Sequence, residues 1–556
     1  MTDFISEKKL TEIKKPGKYL GTDHNSYQVV KNKYSFLLCF PDDYTIGMCS
    51  LGYHTVGRIV RKNKNFYCER CFAPGPDMEN YLRENNCKIF SLETKTPADE
   101  FDILGFSFQY ELAYTNYVNM MDMCGLSPLR KERKETDPVI MGGGPTCVNP
   151  AILSEFMDAL VIGESEKVLP EILNRYGHHS KKEFLKKISG ITGVFVPGIT
   201  GEVKRAVYKE FGDEYYPVNQ PVPLIRVPHG RISMEINRGC KGKCRFCQAT
   251  NIYGPYREKK VEDIVSLCSK TVSATGYDEI TLTSLSGTDH QNLELLMDEL
   301  YFAFKDLGVS TVMSSMKPQI FINNPKFVNK LQRQKHGGLT FAPEAASVKL
   351  KKVINKNIPN DKIVEAAVLA SQNGWKNIKL YFMLGLPGEG KEDLRQVVEL
   401  VKKIKGESGL NINITLAPLT PQSHTPFQWV KNRPLKELKE KRSFIKNRVP
   451  AKVNTVDFKQ YIIENILARG EKKLAQTVVK AHKYGARLDQ WGEHFKFKAW
   501  EKAFKEENST WKYYYYREFK IDSKLPWDFV DTGIKKEELK KAYGKSLEVI
   551  REYEKD

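Results

Sequence analysis

The sequence predicts an α/β protein in three parts: two units built on parallel sheets, followed by a helical region. Apolar runs of strand length recur along residues 34–164 and again along residues 232–416, and segments of helix length separate them. From about residue 431 the spacing of apolar residues becomes that of amphipathic helices. With 41% hydrophobic and 28% charged residues, the 556-residue chain can fill several cores.

The first unit, residues 1–178, is predicted to be a doubly wound, Rossmann-like sheet. Strands buried on both faces appear as continuous apolar runs, and four such runs occur at 34–40, 101–108, 138–144 and 158–164. Helix-like segments separate them at 50–62, 77–85 and 114–125. A dinucleotide-binding fold is a poor match, because no G-x-G-x-x-G opens a helix after the first strand. The loops MGGGPTCVNP and IGESE supply glycines where backbone can approach a ligand closely.

A small, β-rich connection is predicted over residues 179–230, and a partial (β/α)6 barrel over residues 231–430. Its first strand lies in RISMEIN, where Ile232, Met234 and Ile236 alternate with polar residues. Further strands are predicted at 279–283, 310–314, 338–342, 377–383 and 411–416, with helices at 261–275, 291–304 and 361–373. This alternation implies a parallel sheet with right-handed crossovers.

The last region, residues 431–556, is predicted to be basic and mainly helical. It carries 31 Lys and Arg residues against 20 Asp and Glu residues, within a chain of net charge +19, so polyanions such as RNA are permitted partners. QWGEHFKFKAW and WKYYYYREF interleave aromatic and basic residues. That pattern suits base stacking, and it equally suits a helical lid over the barrel mouth, in which Asp489, Glu493 and His494 would reach the active site.

Compartment and partners are constrained only broadly. No run of eighteen apolar residues predicts a membrane span, and the first residues, MTDFISEKKL, lack the apolar core of a signal peptide. Eleven irregularly spaced cysteines indicate thiols in a reducing compartment rather than a disulfide framework. We therefore expect a cytoplasmic protein with no membrane partner.

Three of these cysteines, Cys240, Cys244 and Cys247, lie within INRGCKGKCRFCQAT, directly after a predicted strand. The carboxyl ends of such strands are where α/β folds bind ligands. Three thiols are one short of a structural zinc site or a ferredoxin cluster. On a four-iron cluster they would leave one iron open, which we favour over zinc or chance.

The spacing C-x3-C-x2-C, with an aromatic residue before the last cysteine, resembles the signature of the radical S-adenosylmethionine (SAM) superfamily. The resemblance extends over nearly the whole chain, to one large, uncharacterised family of cobalamin (B12)-binding radical SAM proteins. It rests on PDDYTIGMCSLG, FAPGPDME, FDILGFSFQYEL, GGGPTCVNP, LTFAPEAAS, SHTPFQW, RLDQWGEHF and LPWDFVDTG.

The resemblance implies three cofactors and assigns residues to them. A [4Fe-4S] cluster would bind Cys240, Cys244 and Cys247, and its open iron would hold SAM, with a reductant such as flavodoxin or ferredoxin. Cobalamin would bind the first unit. The SAM contacts implied are Phe246, Ser284, Ser286, Gly287, Glu344, Gly385 and Pro387, and those to cobalamin are Gly142, Gly143, Gly144, Cys147, Gly163 and Glu164.

The reaction that the resemblance favours is methyl transfer to an unactivated carbon or phosphorus centre of an unknown substrate. Three alternatives stay open: an RNA-modifying methylthiotransferase with a second cluster, a cobalamin-dependent cyclisation or rearrangement without methylation, and a non-catalytic sensor. His54 is a weak candidate for a cobalt ligand, and we expect instead a histidine on a helix surface. Cys68 and Cys71, in CERC, have metal or redox spacing but no partner pair at a zinc-like distance, so incidental thiols are favoured.

Overall fold

The structure, a computed structural model, describes residues 7–30, 34–177, 180–313, 316–323, 328 and 338–555. The N-terminal half is built on a six-stranded sheet in the spatial order β2-β1-β3-β4-β5-β6. Its strands are β1 (Tyr34–Phe40), β2 (Phe66–Phe72), β3 (Ile103–Ser107), β4 (Val139–Gly143), β5 (Ala159–Val161) and β6 (Val194–Phe195). All neighbours are parallel except β5 and β6. The order reverses between β1 and β3, which creates a topological switch point.

Helices cover both faces of this sheet, which explains its continuous apolar runs. Leu37 and Cys39 of β1 lie in one apolar core, whereas Phe36 and Leu38 lie in the core on the opposite face. The α-helices of this half are Glu7–Glu12, Tyr44–Gly47, Leu51–Lys62, Pro76–Glu84, Tyr114–Cys124, Ser165–Arg175 and Lys181–Ile188. The doubly wound sheet predicted from the sequence is confirmed.

Strand β2 is missing from the sequence prediction, and it contains the CERC motif. Arg70 and Glu69 interrupt its apolar run, so it does not resemble the other buried strands. Arg70 is fully buried and paired with Asp23 at 3.0 Å and Glu93 at 2.6 Å, which is what allows a charge inside the sheet. Cys68 and Cys71 lie in different apolar cores, so they cannot share one metal ion.

The second half contains all six strands predicted for the barrel. They are β8 (Ile232–Glu235), β11 (Glu279–Thr283), β12 (Ser310–Met313), β13 (Leu339–Glu344), β14 (Asn377–Leu384) and β15 (Asn411–Pro418). One parallel sheet has the order β12-β11-β8 and the other β13-β14-β15-β16, where β16 is Lys452–Thr455. No ladder joins β12 to β13 among the described residues, so the barrel is not closed there.

Helices pack on one face of these two sheets. Ile378, Leu380 and Phe382 of β14 are buried under them, while Lys379 and Tyr381 alternate onto the opposite, inner face. The α-helices of this half are Gln248–Ile252, Val261–Thr275, Leu293–Phe304, Pro318–Asn323, Val348–Ile354, Asn360–Gln372 and Lys391–Ser408.

The C-terminal region is mainly helical, as predicted, but it also adds a strand to the second half and one to the connecting segment. Strand β16 extends the second sheet beside β15, and β17 (Val530–Asp531) pairs with β7 (Val203–Lys204) of the connecting segment. Its α-helices are Leu435–Lys446, Phe458–Ala468, Leu474–Lys483, Phe497–Glu506, Trp511–Tyr516 and Lys536–Lys555. None of the helices in the described ranges has the length and apolarity needed to cross a membrane.

Candidate active site

A cavity of about 580 Å³ lies between the carboxyl ends of the N-terminal strands and those of β8 and β11. One wall is apolar and rich in glycine, and it lies beside the switch point of the N-terminal sheet. The facing wall is polar. The first wall includes Leu38, Gly105, Met141, Gly142, Gly143, Gly144, Val161 and Gly163, and the second includes Ser233, Glu235, Arg238, Thr283 and Ser284. Ligands of α/β sheets bind in this position.

Polar side chains also cover the inner face of the second half. Ser233 lies opposite Thr281, and Thr340, Lys379 and Asn413 lie opposite one another on β13, β14 and β15. The Thr281 hydroxyl is buried without a hydrogen-bond partner among the described residues. The interior of a closed barrel is filled with bulky apolar side chains. This polar lining is instead typical of a chamber that binds a ligand.

The three cysteines of the motif lie on one loop, residues 239–256. Two short strands, β9 (Asn237–Arg238) and β10 (Arg257–Glu258), pair antiparallel at its base. All three thiols are partly buried. The cysteine loop therefore begins and ends at the same place, the β9–β10 pair that directly follows β8.

Arg245 anchors this cysteine loop to the end of helix Val348–Ile354. Its backbone N–H donates to the Ile354 carbonyl at 3.0 Å. Its guanidinium donates to the carbonyls of Lys352 at 2.7 Å and Val353 at 2.8 Å. Carbonyls at a helix C-terminus lack intrahelical partners, so this arginine satisfies them while it fixes the loop.

The donor set suits an iron–sulfur cluster with one open iron. The Gly242 N–H donates to the Cys240 sulfur at 3.3 Å, and a Cβ at this position would stand 3.3 Å from that sulfur. Burial raises the pKa of Cys244 to about 11, although the Lys356 ammonium opposes the shift, and Cys247 and Cys240 raise it further. Iron–sulfur clusters are held by thiolates, so cluster binding at these cysteines would release their thiol protons. Among the described residues no three Cys, His, Asp or Glu side chains already converge as a metal cage.

Glu344 lies at the end of β13, beside this loop. Its backbone is left-handed, with φ of 64°, and the pairing of β13 with β14 shifts register between Phe341 and Glu344. A non-glycine residue held in this region is strained, a feature that concentrates at functional sites. Burial raises the pKa of Glu344, and the Lys356 ammonium, 3.0 Å from its carboxylate, opposes the rise.

The turn after β11 places Ser284 on the cavity wall. Its hydroxyl donates to Asn237 Oδ1 and accepts from the Ser286 N–H at 2.8 Å. Ser286 and Gly287 are buried behind it, where a Cβ on Gly287 would stand 3.0 Å from Met313. Of these three predicted SAM contacts, Ser284 lies on the cavity.

Phe246 and Gly385 contact other elements of the chain. Phe246 packs against an apolar cluster that contains Ala345 and Leu386. A Cβ on Gly385 would come within 2.8 Å of Leu438, a residue of the C-terminal region, and Pro387 is buried. The close approach that Gly385 permits is therefore to a helix of this chain.

The predicted cobalamin contacts separate into two groups. Gly142, Gly143, Gly144, Gly163 and Glu164 all line the cavity. Cys147 lies in the core with no exposed surface, where burial raises the pKa of its thiol. Its side chain is not part of the cavity wall.

His54 is buried, so the expectation of a helix-surface histidine is wrong. It is 2% exposed, and its Nε2 lies 2.9 Å from the Met48 carbonyl oxygen. Burial lowers the pKa of this ring to about 4, which keeps it neutral near pH 7. It does not belong to the cavity lining.

The three C-terminal candidates do not lie together at the barrel mouth. Asp489 is fully buried and accepts from Thr115 Oγ1 at 2.9 Å and from Trp500 Nε1 at 3.0 Å. Glu493 is exposed, and His494 is partly exposed. This segment packs on the N-terminal half, where Trp491 donates to Asp42 after β1.

Sequence reasoning missed several arginines and an asparagine around the cysteine loop. Asn237, Arg238 and Arg245 lie within five positions of a motif cysteine, and Arg257 follows the loop. Their partners are distant in sequence, so proximity to the motif was the only signal.

Comparison with known proteins finds a matching family in each half of the chain. The family described as "Radical SAM proteins, N-terminal" matches residues 52–197, and the "Radical SAM superfamily" matches residues 234–401. The chain is 28% identical over 446 residues to an uncharacterized protein of Methanocaldococcus jannaschii, across 79% of this chain and 89% of that protein.

Two further matches are to proteins with described activities. The chain is 24% identical over 369 residues to the tRNA-2-methylthio-N(6)-dimethylallyladenosine synthase of Carboxydothermus hydrogenoformans, across 63% of this chain and 76% of that enzyme. The radical S-adenosylmethionine methyltransferase TsrM from Kitasatospora setae, solved with cobalamin and a [4Fe-4S] cluster, matches with a TM-score of 0.51 and 15% identity, over 73% of this chain and 76% of that chain. At that identity the likeness shows a shared fold.

Proposed function

Because the chain belongs to the radical SAM superfamily, we propose that it is a cobalamin-dependent radical SAM methyltransferase that acts on an unactivated carbon or phosphorus centre. The observation that carries the proposal is the cavity between the two halves, with its glycine-rich wall on one side and the strand ends next to the cysteine loop on the other. A radical acceptor needs a methyl donor that cleaves homolytically, which SAM alone is not, so two cofactors must face one substrate.

Residues of this chain have separable roles in the proposal. Cys240, Cys244 and Cys247 hold the cluster, and Ser284 supplies a hydroxyl at the cavity wall. Gly143, where a Cβ would meet only Val161 at 3.9 Å, lets backbone approach a broad, flat group such as a corrin ring. At Gly142, Gly144 and Gly163 the missing Cβ instead lets the wall pack closely on this chain. When bound, the cluster with SAM supplies a 5′-deoxyadenosyl radical, and cobalamin supplies a transferable methyl group.

Glu344 and Lys356 supply charge and proton capacity beside the cysteine loop. Their ion pair is partly buried, with side chains 15% and 22% exposed. A carboxylate at a strand end can accept hydrogen bonds from a ribose or face a positive sulfonium. The neighbouring ammonium opposes the rise that burial causes in the pKa of Glu344.

Anaerobic purification and reconstitution test the proposal directly. We expect about four irons per chain, bound cobalamin in the absorbance spectrum, formation of 5′-deoxyadenosine from SAM under a low-potential reductant, and a product heavier by one methyl group. Protein that cleaves SAM but never binds cobalamin would contradict it. A product without added mass would instead support a rearrangement or cyclisation.

A second candidate, an RNA methylthiotransferase, is favoured by the similarity to the tRNA-modifying synthase. It needs a second cluster on N-terminal thiols. Cys39, Cys71 and Cys124 share one apolar core and are each at most 2% exposed. Burial raises the pKa of Cys39 and Cys124, which disfavours the thiolates that a cluster requires. About eight irons per chain, together with specific RNA binding that persists as salt rises, would favour this candidate over the first.

A further inference from the structure

We infer that Glu164 is a positioning residue that clamps the base of the cysteine loop to the glycine-rich wall of the cavity. The inference rests on the proposed function, in which a group on the cysteine loop and a group on that wall must meet across the cavity. Glu164 follows Gly163 of the wall, and both residues line the cavity.

The contacts form one connected network. Glu164 binds Arg257 through both oxygens, at 2.7 Å and 2.8 Å, and its Oε2 lies 3.3 Å from Arg238. Arg238 and Arg257 stand opposite each other across β9 and β10, so both ends of the cysteine loop reach the same carboxylate. Arg238 also binds Glu166 at 2.8 Å. A paired fork of this kind fixes orientation as well as distance.

The carboxylate itself is held rigidly. It accepts from the Tyr208 N–H at 2.6 Å. Gly163 forms a parallel bridge with Ala206, and the Glu164 N–H donates to the Ala206 carbonyl at 3.1 Å, so the chain at Glu164 is tied to the connecting segment. Although burial opposes ionisation, the hydrogen bonds from Arg257 and the charge of Arg238 keep the pKa of Glu164 below its ordinary value.

Stability alone does not require such a network. Burying charges is costly, and well-packed apolar residues of similar volume are often as stable or more so, whereas fixing register is the best-attested use of buried ion pairs. Arg238 is bound twice by Glu235, at 3.0 Å and 2.8 Å, within the second half. Removal of Glu164 should therefore leave β9 and β10 folded but more weakly held to the N-terminal wall, where the Arg238–Glu166 pair remains.

The test compares Glu164→Gln with Asp158→Asn in the full-length protein. Asp158 precedes β5, at the opposite end of the strand that leads to Glu164, and it binds Arg133 at 2.9 Å and Lys181 at 3.0 Å. Its side chain is 4% exposed and that of Glu164 is 6% exposed. Each variant therefore breaks a buried ion pair, but only Glu164→Gln breaks one that holds the loop.

Hydrogen exchange of the backbone over residues 239–256 is the first measurement. We expect exchange to become about tenfold faster in Glu164→Gln and to stay unchanged in Asp158→Asn, as local opening requires. Arg257→Lys keeps the positive charge but loses the bidentate contact with Glu164. Its exchange rate should therefore lie between those of Glu164→Gln and Asp158→Asn. It also replaces Glu164→Gln in the test if that variant does not fold. Equal protection in all variants would overturn the inference.

The second measurement separates the clamp from the proposed function. In protein loaded with cluster, SAM and cobalamin, Glu164→Gln should keep 5′-deoxyadenosine formation but lose about tenfold or more in methylated product per SAM cleaved, because small misplacements are costly. If no cobalamin binds to wild-type protein, the proposed function fails while hydrogen exchange still decides the clamp. An unchanged product ratio in loaded Glu164→Gln would contradict a positioning role.

Discussion

Each of the three motif cysteines should be required for the cluster. Replacing Cys240, Cys244 or Cys247 by alanine should each abolish iron binding and 5′-deoxyadenosine formation, because two thiolates cannot retain the cluster. Iron content and absorbance after anaerobic reconstitution measure the effect. Cys268→Ala is the matched control, because this buried thiol lies on helix Val261–Thr275, outside the cysteine loop. The Cys268→Ala protein should bind as much iron as the wild type. Retention of iron and SAM cleavage in all three loop variants would contradict a cluster here.

Two adjacent glycines on the cavity wall should respond differently to alanine. Gly144 has φ of 116°, and a Cβ there would stand 2.2 Å from the Phe108 carbonyl oxygen. Backbone strain alone would lower the free energy of unfolding by roughly 1–3 kcal/mol. Because the Cβ also clashes, Gly144→Ala should lower it by more. The Cβ of Gly143→Ala would meet Val161 at an ordinary 3.9 Å. We expect Gly143→Ala to have the urea midpoint of the wild type but to bind cobalamin more weakly. Equal stability of the two variants would contradict the interpretation that the wall has room for a Cβ at Gly143 but not at Gly144.

At the scale of elements, the cysteine loop depends on the end of helix Val348–Ile354. Arg245→Met removes the hydrogen bonds to the carbonyls of Lys352 and Val353, each worth about 1.5–3 kcal/mol because the donor is charged. We expect iron to be lost to a chelator several-fold faster. Arg395→Met, at an arginine whose side chain is 62% exposed, should leave that rate unchanged. A wild-type rate in Arg245→Met would mean that the loop holds its shape without this anchor.

Another buried contact joins helix Tyr114–Cys124 to helix Phe497–Glu506 through Asp489. Burial raises the pKa of Asp489 from 3.8 to about 7, against the hydrogen bonds from Thr115 and Trp500. The folded state therefore binds this proton more tightly than the unfolded state does, so the stability it provides is present below pH 3.8 and is lost as pH rises to about 7. At pH 7 and above, the loss in the free energy of unfolding reaches about 4 kcal/mol, because each pKa unit corresponds to 1.36 kcal/mol.

Asp489→Asn should remove this pH dependence. Its urea midpoint, followed by tryptophan fluorescence, should gain on the wild type as pH rises from 4 to 7 and then level off. Glu493→Gln, at an exposed position of the same segment, should show no such trend. A difference between Asp489→Asn and the wild type that does not vary with pH would show that the carboxyl titrates normally.

For the whole molecule, the C-terminal region is part of the core rather than an appendage. Leu438, Tyr461 and Trp500 belong to the same apolar cluster as Ile232 and Leu380 of the second half. A chain ending at Val430 would also lose β16 and β17 from their sheets. We expect such a truncated chain to be insoluble or protease-sensitive, whereas the full chain should resist cleavage near residue 430. A soluble, protease-resistant fragment of residues 1–430 would instead support an independent C-terminal domain.

The two basic, aromatic segments of the C-terminal region, QWGEHFKFKAW and WKYYYYREF, show how tertiary packing changes what their sequence suggests. Trp500 and Tyr515 are at most 1% exposed, while Tyr513 is 59% exposed. Most rings of these segments pack against each other, as Trp511 does against Tyr515 and Phe497. Alternation of aromatic and basic residues along a chain does not reveal which rings face solvent, because helical packing decides it.

The sequence by itself determined the α/β class, the six strands of the second half and the motif with three thiols. These are local properties: apolar periodicity follows from which face of an element is buried, and the spacing of Cys240, Cys244 and Cys247 is fixed by the chain. Strand β2 escaped prediction because Arg70, buried with carboxylates from distant segments, interrupts its apolar run.

Only the tertiary structure decided how the two halves meet. It turned Glu164 from a predicted cofactor contact into the partner of Arg238 and Arg257, and it buried His54 and Asp489. Ion pairs and burial at these positions join residues tens to hundreds of positions apart. No periodicity or spacing encodes such pairs, because their energies arise only when the chain has brought both partners out of water.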